Sequence, residues 1–301
     1  MKIRFVIDST TIVRESIRHR FSVVPLTIVC EGKEYVEGVT IDEKGFYELL
    51  ERSKESPVTS QPSPEAFMKA YKEGVDNGET VIAIIVAGGL SGTYQSAVIA
   101  AQEFPEGSVY VVDSENIAIA SGVLAEYALK LADSGMEASE IVKKLENARK
   151  RVRLVALLDT LDSLKKSGRI PWAVAFAGGI LSIKPLVYVE RGEIKMFGKA
   201  RGSKKANKLI DEAIEKLGGV DFDLPVLFGY TGTDNMPVKR YLEESTALWK
   251  EKLDDIAYYI VGSVVGTHTG PGAFAAGYFV VWLAVFISIK AVSKKLNAKI
   301  K

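Results

Sequence analysis

Short β-branched runs that alternate with amphipathic helical segments set the strongest limit on how this chain can fold. In the first half, KIRFVID (2–8), VVPLTIV (23–29), VIAIIVA (81–87) and VYVVD (109–113) read as strands. Between them lie EKGFYELLERS (43–53), SPEAFMKAYKEG (63–74), TYQSAVIAAQEF (93–104) and GVLAEYALKLADSG (122–135), whose apolar residues recur at spacings of three and four. Gly74, Gly78, Pro105, Gly107 and Gly135 fall where that periodicity breaks. Strand and helix in alternation predict a parallel sheet with helices on its faces. From RVRLVALLDTLDSLKKSGRI (151–170) the rhythm changes. LSIKPLVYVERGEIKMFGKA (181–200) predicts an antiparallel hairpin around Arg191-Gly192, and the strand VLFGYT (226–231) separates two helical segments at 204–218 and 235–253. The expectation is an α/β protein of two domains: a parallel-sheet α/β domain over 1–152 and a mixed α+β domain over 153–301.

Composition narrows the function. At 301 residues and 47% hydrophobic content the chain can bury two cores, and its net charge of +1 gives no general reason to expect a polyanionic partner. No basic stripe interleaved with aromatics marks a nucleic-acid interface. A single cysteine, Cys30, excludes an internal disulfide framework and multi-cysteine metal sites, and fits a small half-buried residue at a strand end. With an acid at position 8, the start MKIRFVIDST holds no long apolar signal core, so a cytoplasmic protein is expected. The other end carries AFAAGYFVVWLAVFISI (273–289) without a charge. About 17 apolar residues is the lower limit for spanning a bilayer. The stretch reads as a buried last strand continuing into a core helix; the alternatives are peripheral membrane contact, an oligomer seam or an anchor.

Ligands of open α/β sheets bind outside the carboxyl ends of the strands. Three first-half strands end in Asp8-Ser9-Thr10-Thr11, Leu90-Ser91-Gly92-Thr93 and Asp113-Ser114, which should share one rim. PVTSQPS (57–63) adds Thr59 and Ser60 just before a helix starting at Pro64, with Ser63 as its cap. Each of these hydroxyls can equally serve as a helix cap or turn residue. The turn AGGLSGTYQSA (87–97) opens a helix, where free N–H groups and the helix dipole favour an anion. It lacks the lysine of a P-loop and does not fit G-x-G-x-x-G, and no Lys or Arg stands between Lys72 and Lys130. A triphosphate would be poorly neutralised there. A single carboxylate would suit it, satisfied by backbone N–H groups with Ser91 and Thr93. A serine esterase or acyl transferase is the alternative, using Ser91, His268 and Asp8 or Asp113, although LSGTY is not the G-x-S-x-G elbow. Of the two histidines, His19 sits in a charged helical segment, whereas His268 lies among glycines in GTHTGPG, which predicts a shaped loop.

DST at the N-terminus, TSQPSPEAF, LSGTYQSA, VVDSENIAIASG, LDTLDSLKKSGRIPWAVAFAGGILSIKPLV, KARGSKKA and GTHTGPGAF, in that order and spacing, resemble the DegV family of bacterial fatty-acid-binding proteins from Lys2 to about Val281. The resemblance implies a two-domain protein that encloses a long-chain fatty acid between its domains and has no cofactor. It implies a carboxylate held by Thr59 and Ser91 with His268 close to the head group. It also implies a lipid carrier without catalysis of its own, which hands the acid to a separate fatty acid kinase. The acyl phosphate formed there serves phospholipid synthesis, and Arg201 of KARGSKKA is similar to a residue implicated in docking the kinase. Around this head group, Ser60, Gly92, Thr93 and Ser114 are further candidates for ligand binding. Arg169 is either an outer charge at the pocket or a solvated helix end. Ile117, Ile119, Phe176, Ile180 and Leu181 can wall the acyl tunnel or belong to ordinary core, and Gly178-Gly179 would allow a close approach.

One departure from the family pattern is the chain beyond about position 281, VVWLAVFISIKAVSKKLNAKIK (280–301). It is expected to cover the tunnel, pair two chains, or make transient contact with a membrane surface.

Overall fold

The computed structural model describes residues 2–170, 183–249 and 256–281. From the N-terminus the chain runs β1 (Ile3–Asp8), α1 (Glu15–Arg18), β2 (Phe21–Val24), β3 (Thr27–Cys30), β4 (Lys33–Val36), α2 (Glu43–Arg52) and β5 (Val58–Ser60). Next come α3 (Pro64–Asp76), β6 (Thr80–Ile85), α4 (Thr93–Ala101), β7 (Val109–Asp113), α5 (Ile119–Asp133) and α6 (Ala138–Ala148). The second half holds β8 (Val152–Leu157), α7 (Asp162–Lys166), β9 (Ile183–Glu190), β10 (Glu193–Arg201), α8 (Ser203–Lys216) and β11 (Leu227–Tyr230). It continues through α9 (Met236–Glu244), α10 (Thr246–Trp249), β12 (Ala257–Ile260), α11 (Ser263–Thr269) and β13 (Phe274–Phe279).

The α/β class expected from the alternating pattern is observed. β2, β1, β6 and β7 form a parallel sheet in that order, with Phe5 opposite Phe21 on one side and Ile82 on the other. Every residue of β6 is buried, as a central parallel strand covered on both faces requires. The order reverses beside β1, so a crevice opens at the carboxyl ends of β1 and β6. A second, mixed sheet takes the order β10-β9-β8-β13-β11-β12, and only β11 and β12 pair in parallel. Its hairpin turns at Arg191 and Gly192, both at positive φ (52° and 74°), the conformation of a two-residue turn that follows the strand twist.

Two local expectations need correction. VVPLTIV is not one strand: β2 ends at Val24 and β3 begins at Thr27 in a different sheet. Pro25, with no N–H to give a ladder, stands at the break. β3 then pairs antiparallel with β4 and β5, making a third, three-stranded sheet. His268 does not sit in a loop but on α11, whose C-cap is Gly270 at φ 72°. Glycines that suggested a shaped loop serve instead as helix stop and as points of close packing.

α5 packs between the parallel and the mixed sheet, touching β1 and β6 as well as β8, β11 and β13. Ile119, Val123, Leu124 and Leu129 are all buried, so this helix is apolar around most of its girth rather than along one stripe. Small residues allow the contact: a Cβ on Gly277 would stand 2.9 Å from the Ala120 nitrogen. Burial of such a side chain contributes about 1.5–3 kcal/mol. Glu126, on the same helix, is buried but accepts from the Arg14 backbone N–H at 2.8 Å and its guanidinium at 3.0 Å.

The apolar run at 273–289 begins as β13, a buried strand between β8 and β11. Its continuation from 282 lies outside the described residues. Among the described residues no helix is long and apolar enough to cross a membrane.

Candidate functional site

The crevice beside β1 and β6 is organised by a buried acid. Asp8, the last residue of β1, accepts from the Thr10 backbone N–H at 2.9 Å, from the Thr10 hydroxyl, and from the Val86 N–H at 2.7 Å just past β6. Burial pushes its carboxyl above the ordinary range, and these donors pull the other way. The chain then turns: the Leu90 and Ser91 N–H groups both donate to the Ala87 carbonyl, at 2.9 and 3.1 Å. Ser91 thus stands at the mouth of α4, with its Oγ 2.8 Å from Thr93 Oγ1 and accepting from the Thr93 N–H at 3.3 Å. Gly92 leaves room for Gln61, since a Cβ there would lie 2.0 Å from the Gln61 amide oxygen.

The second half of the polar group comes from far along the chain. Thr59 stands on β5 opposite Ile28 of β3. Its Oγ1 lies 3.0 Å from His268 Nε2 on α11. Nδ1 of His268 is buried and has no hydrogen-bond partner among the described residues. Burial first, and then the Arg169 charge, lower the imidazole pKa to about 4, so the ring is neutral at pH 7. In either tautomer the pair retains one donor: the Thr59 O–H when Nε2 carries the proton, and Nδ1–H when Nδ1 does. That is a recipient for an anion.

Thr59, Ser91 and His268 line one cavity together with Ser60, Gly92, Ile117 and Arg169. It holds about 1170 Å³ between protein atoms, its open mouth included. Its apolar wall comes from the segment leading into α5, through Ile117 and Ile119, and from the mixed sheet, through Leu154, Val187, Val189 and Ile194. Arg169 is half-buried, and its guanidinium donates to the Ser167 carbonyl at 2.6 Å and the Leu90 carbonyl at 3.4 Å, so it is tied to the mouth rather than solvated.

Other expected site residues lie elsewhere. Thr93 is fully buried behind Ser91 and supports it instead of forming the wall. Ser114 departs from expectation: its hydroxyl is buried against the Asn116 carbonyl (3.0 Å) and Ser121 Oγ (2.9 Å), closing the turn into α5. Arg201 is exposed at the end of β10. Phe176, Ile180, Leu181 and Gly178-Gly179 lie outside the described residues. Sequence reasoning passed over Thr231, Thr269 and the mixed-sheet wall, because which side of each strand faces the cavity depends on pairing between distant segments.

A nucleophile relay is not assembled. Among the described residues, the hydrogen bonds of Ser91 run to Thr93, and those of His268 to Thr59. The carboxylate of Asp8 is engaged by Thr10 and Val86, and that of Asp113 by the Gly88 and Glu115 N–H groups. No group of three or more His, Cys, Asp or Glu residues suited to a metal ion occurs among the described residues.

The model of the family described as "Uncharacterised protein, DegV family" matches residues 2–281. A DegV domain-containing protein of Caldanaerobacter subterraneus subsp. tengcongensis is 36% identical over 283 residues, which cover 92% of this chain and 98% of the relative. Among solved structures, a DegV family protein from Thermus thermophilus described for fatty acid binding superposes with a TM-score of 0.83 at 31% identity, over 93% of this chain and 100% of that one. A fatty acid binding DegV family protein from Streptococcus agalactiae gives 0.82 at 28%, over 93% and 99%.

Proposed function

Because the chain belongs to the DegV family, we propose that it binds one long-chain fatty acid, with the carboxylate at Thr59, Ser91 and His268 and the acyl chain in the cavity. It then presents that carboxylate to a separate fatty acid kinase, which forms the acyl phosphate for phospholipid synthesis. The observation that carries the reading is the pairing of an apolar cavity with the Thr59–His268 pair, whose spare donor has no partner among the described residues. The two solved relatives described as binding fatty acids support it.

The division of labour follows from magnitudes. A hexadecanoyl tail buried at about 0.8 kcal/mol per CH₂ contributes on the order of 10 kcal/mol gross, so the apolar wall supplies most of the affinity. The polar end supplies orientation, since a desolvated carboxylate must find donors or remain outside. On this reading the protein is a cytoplasmic carrier that performs no chemistry itself, and the exposed Arg201 belongs to the kinase-docking face. We divide it into an α/β domain over 1–152 that carries the hydroxyl-rich part of the carboxylate site and an α+β domain over 153–301 that closes the acyl tunnel and contributes His268.

Native mass spectrometry of protein purified from cells, followed by extraction and identification of the bound molecule, tests the reading. An acyl chain at one per protein is expected. Absence of any co-purified acid, together with no binding of hexadecanoic acid at micromolar concentration, would refute it.

A further inference from the structure

Glu37 is a buried acid that the cavity does not use. It is 7% exposed and lies just after β4, where three parts of the chain meet. Its Oε2 accepts from Ser9 Oγ at 2.5 Å, and Ser9 Oγ in turn accepts from the Leu26 N–H at 3.0 Å. Its Oε1 accepts from Ser263 Oγ at 3.0 Å and from the Val264 N–H at 2.9 Å, capping the first turn of α11. Its own backbone N–H donates to the Leu26 carbonyl at 3.0 Å. A Cβ on Gly262 would stand 2.4 Å from Glu37 Oε1, so glycine there is what lets the carboxyl group reach the helix end.

The same helix is held from the side. Gly266 packs where a Cβ would meet Phe46 and Tyr47 at 2.7 Å, and the Tyr47 hydroxyl donates to the Val261 carbonyl at 2.8 Å. Phe46, Tyr47 and Val264 share a cluster with Leu26 and Ile28 around β3. β3 also carries β5, and so Thr59. The two members of the Thr59–His268 pair are therefore attached to one support, β3, Thr59 by strand pairing and His268 through the Glu37 cap on α11.

We propose that Glu37 is a positioning residue for the head-group site: its carboxyl group clamps the start of α11 to β3 and thereby sets the distance between His268 and Thr59. The inference rests on the reading that an acid head group is received there. Glutamine keeps the Oε1 acceptor for Ser263 and Val264 and can donate to Ser9 Oγ, so Glu37→Gln preserves the clamp. Glu37→Ala removes it. Glu37→Asp keeps the charge and falls short by one methylene.

The test measures hexadecanoic acid and its methyl ester by displacement of a fluorescent fatty acid, on wild type and the three variants. The clamp predicts that Glu37→Ala loses acid affinity on the order of tenfold while ester affinity holds within about twofold, and that Glu37→Gln restores acid binding. Should the alanine variant fail to fold, Glu37→Asp is expected to show the same acid-selective loss. NMR titration of His268 in ligand-free protein gives the lipid-independent arm: its pKa stays near 4 in wild type and Glu37→Gln and rises in Glu37→Ala or Glu37→Asp. Equal losses for acid and ester, an unmoved His268, or failure of glutamine to rescue would overturn the proposal. A wild type that does not prefer acid to ester would instead refute the head-group reading, and the His268 titration would still decide the clamp.

Discussion

Gly89 and Gly192 meet backbone to backbone: a Cβ on Gly89 would stand 2.8 Å from the Gly192 carbonyl oxygen. Gly89 belongs to the turn that delivers Ser91, and Gly192 to the tip of the β9–β10 hairpin, whose Val189 and Ile194 line the cavity. The Gly192 N–H also donates to the Glu115 carbonyl at 2.8 Å. The hairpin that walls the cavity thus braces the turn that carries Ser91.

Gly89→Ala must push this tip away, because the opposing atom is backbone and cannot rotate aside. A destabilisation of about 1–3 kcal/mol is expected, the usual cost of overpacking, read as a lower thermal midpoint. Gly198→Ala is the control: like Gly89 it lies outside the left-handed region, but the nearest atom to the added Cβ is the end of the Leu209 side chain at 3.3 Å, which can give way. Equal losses at the two sites would remove the bracing contact from the account.

His268 should leave a mark on the pH dependence of stability. The ordinary imidazole value is 6.5, and burial followed by the Arg169 charge lowers it to about 4 in the folded chain. Between these values the unfolded chain binds the extra proton, so ligand-free protein loses stability as pH falls from 6.5 towards 4, by at most about 3 kcal/mol. Asp8 and Glu37 act in the opposite sense, because burial raises both carboxyl groups and the folded state takes their protons first. Subtracting the curve of His268→Gln isolates the imidazole: the difference should slope between pH 4 and 6.5 and be flat above. Parallel curves would contradict the assignment.

Ser91→Ala combined with Thr59→Ala should weaken acid binding by about 1–3 kcal/mol for each hydroxyl removed, since a buried carboxylate is left short of donors. The methyl ester, which carries no charge to desolvate, should lose much less. Calorimetry or displacement with the two ligands makes the comparison. Identical affinities of the variant and the wild type for the acid would count against these residues.

Ile194 is half-buried on β10 and faces the cavity. Ile194→Trp fills acyl space without touching the polar end. Decanoic acid should then compete more strongly against hexadecanoic acid than it does in wild type. An unchanged chain-length preference would place the tail elsewhere.

How much of this was readable in the sequence depends on the reach of each interaction. The rim is local: Asp8, Ser91 and the AGGLSGT turn follow directly from strand runs and glycines that a linear reading recognises. The hairpin at Arg191-Gly192 is local too, fixed by a two-residue turn. The break at Pro25 is marked by the proline itself, but the apolar residues on both sides have the same character and mask it. Helix α11 reads as a loop in the sequence because Gly266, Gly270 and Gly272 look like turn residues until Phe46 and Tyr47 are set against the first of them. Ser114 has the composition of a site residue and the environment of a turn. Glu37 gave no signal, since it joins Ser263 across 226 positions and no periodicity spans such a distance.

The central claim is that a long-chain acid lies in this cavity with its carboxylate at Thr59, Ser91 and His268. A crystal structure of the protein with hexadecanoic acid tests it most directly. The account predicts one carboxylate oxygen within hydrogen-bond distance of Thr59 or His268, the head group at Ser91, and the tail running along Ile117, Val187 and Ile194. A carboxylate at the opposite end, or a cavity holding only water in the presence of saturating acid, would contradict it.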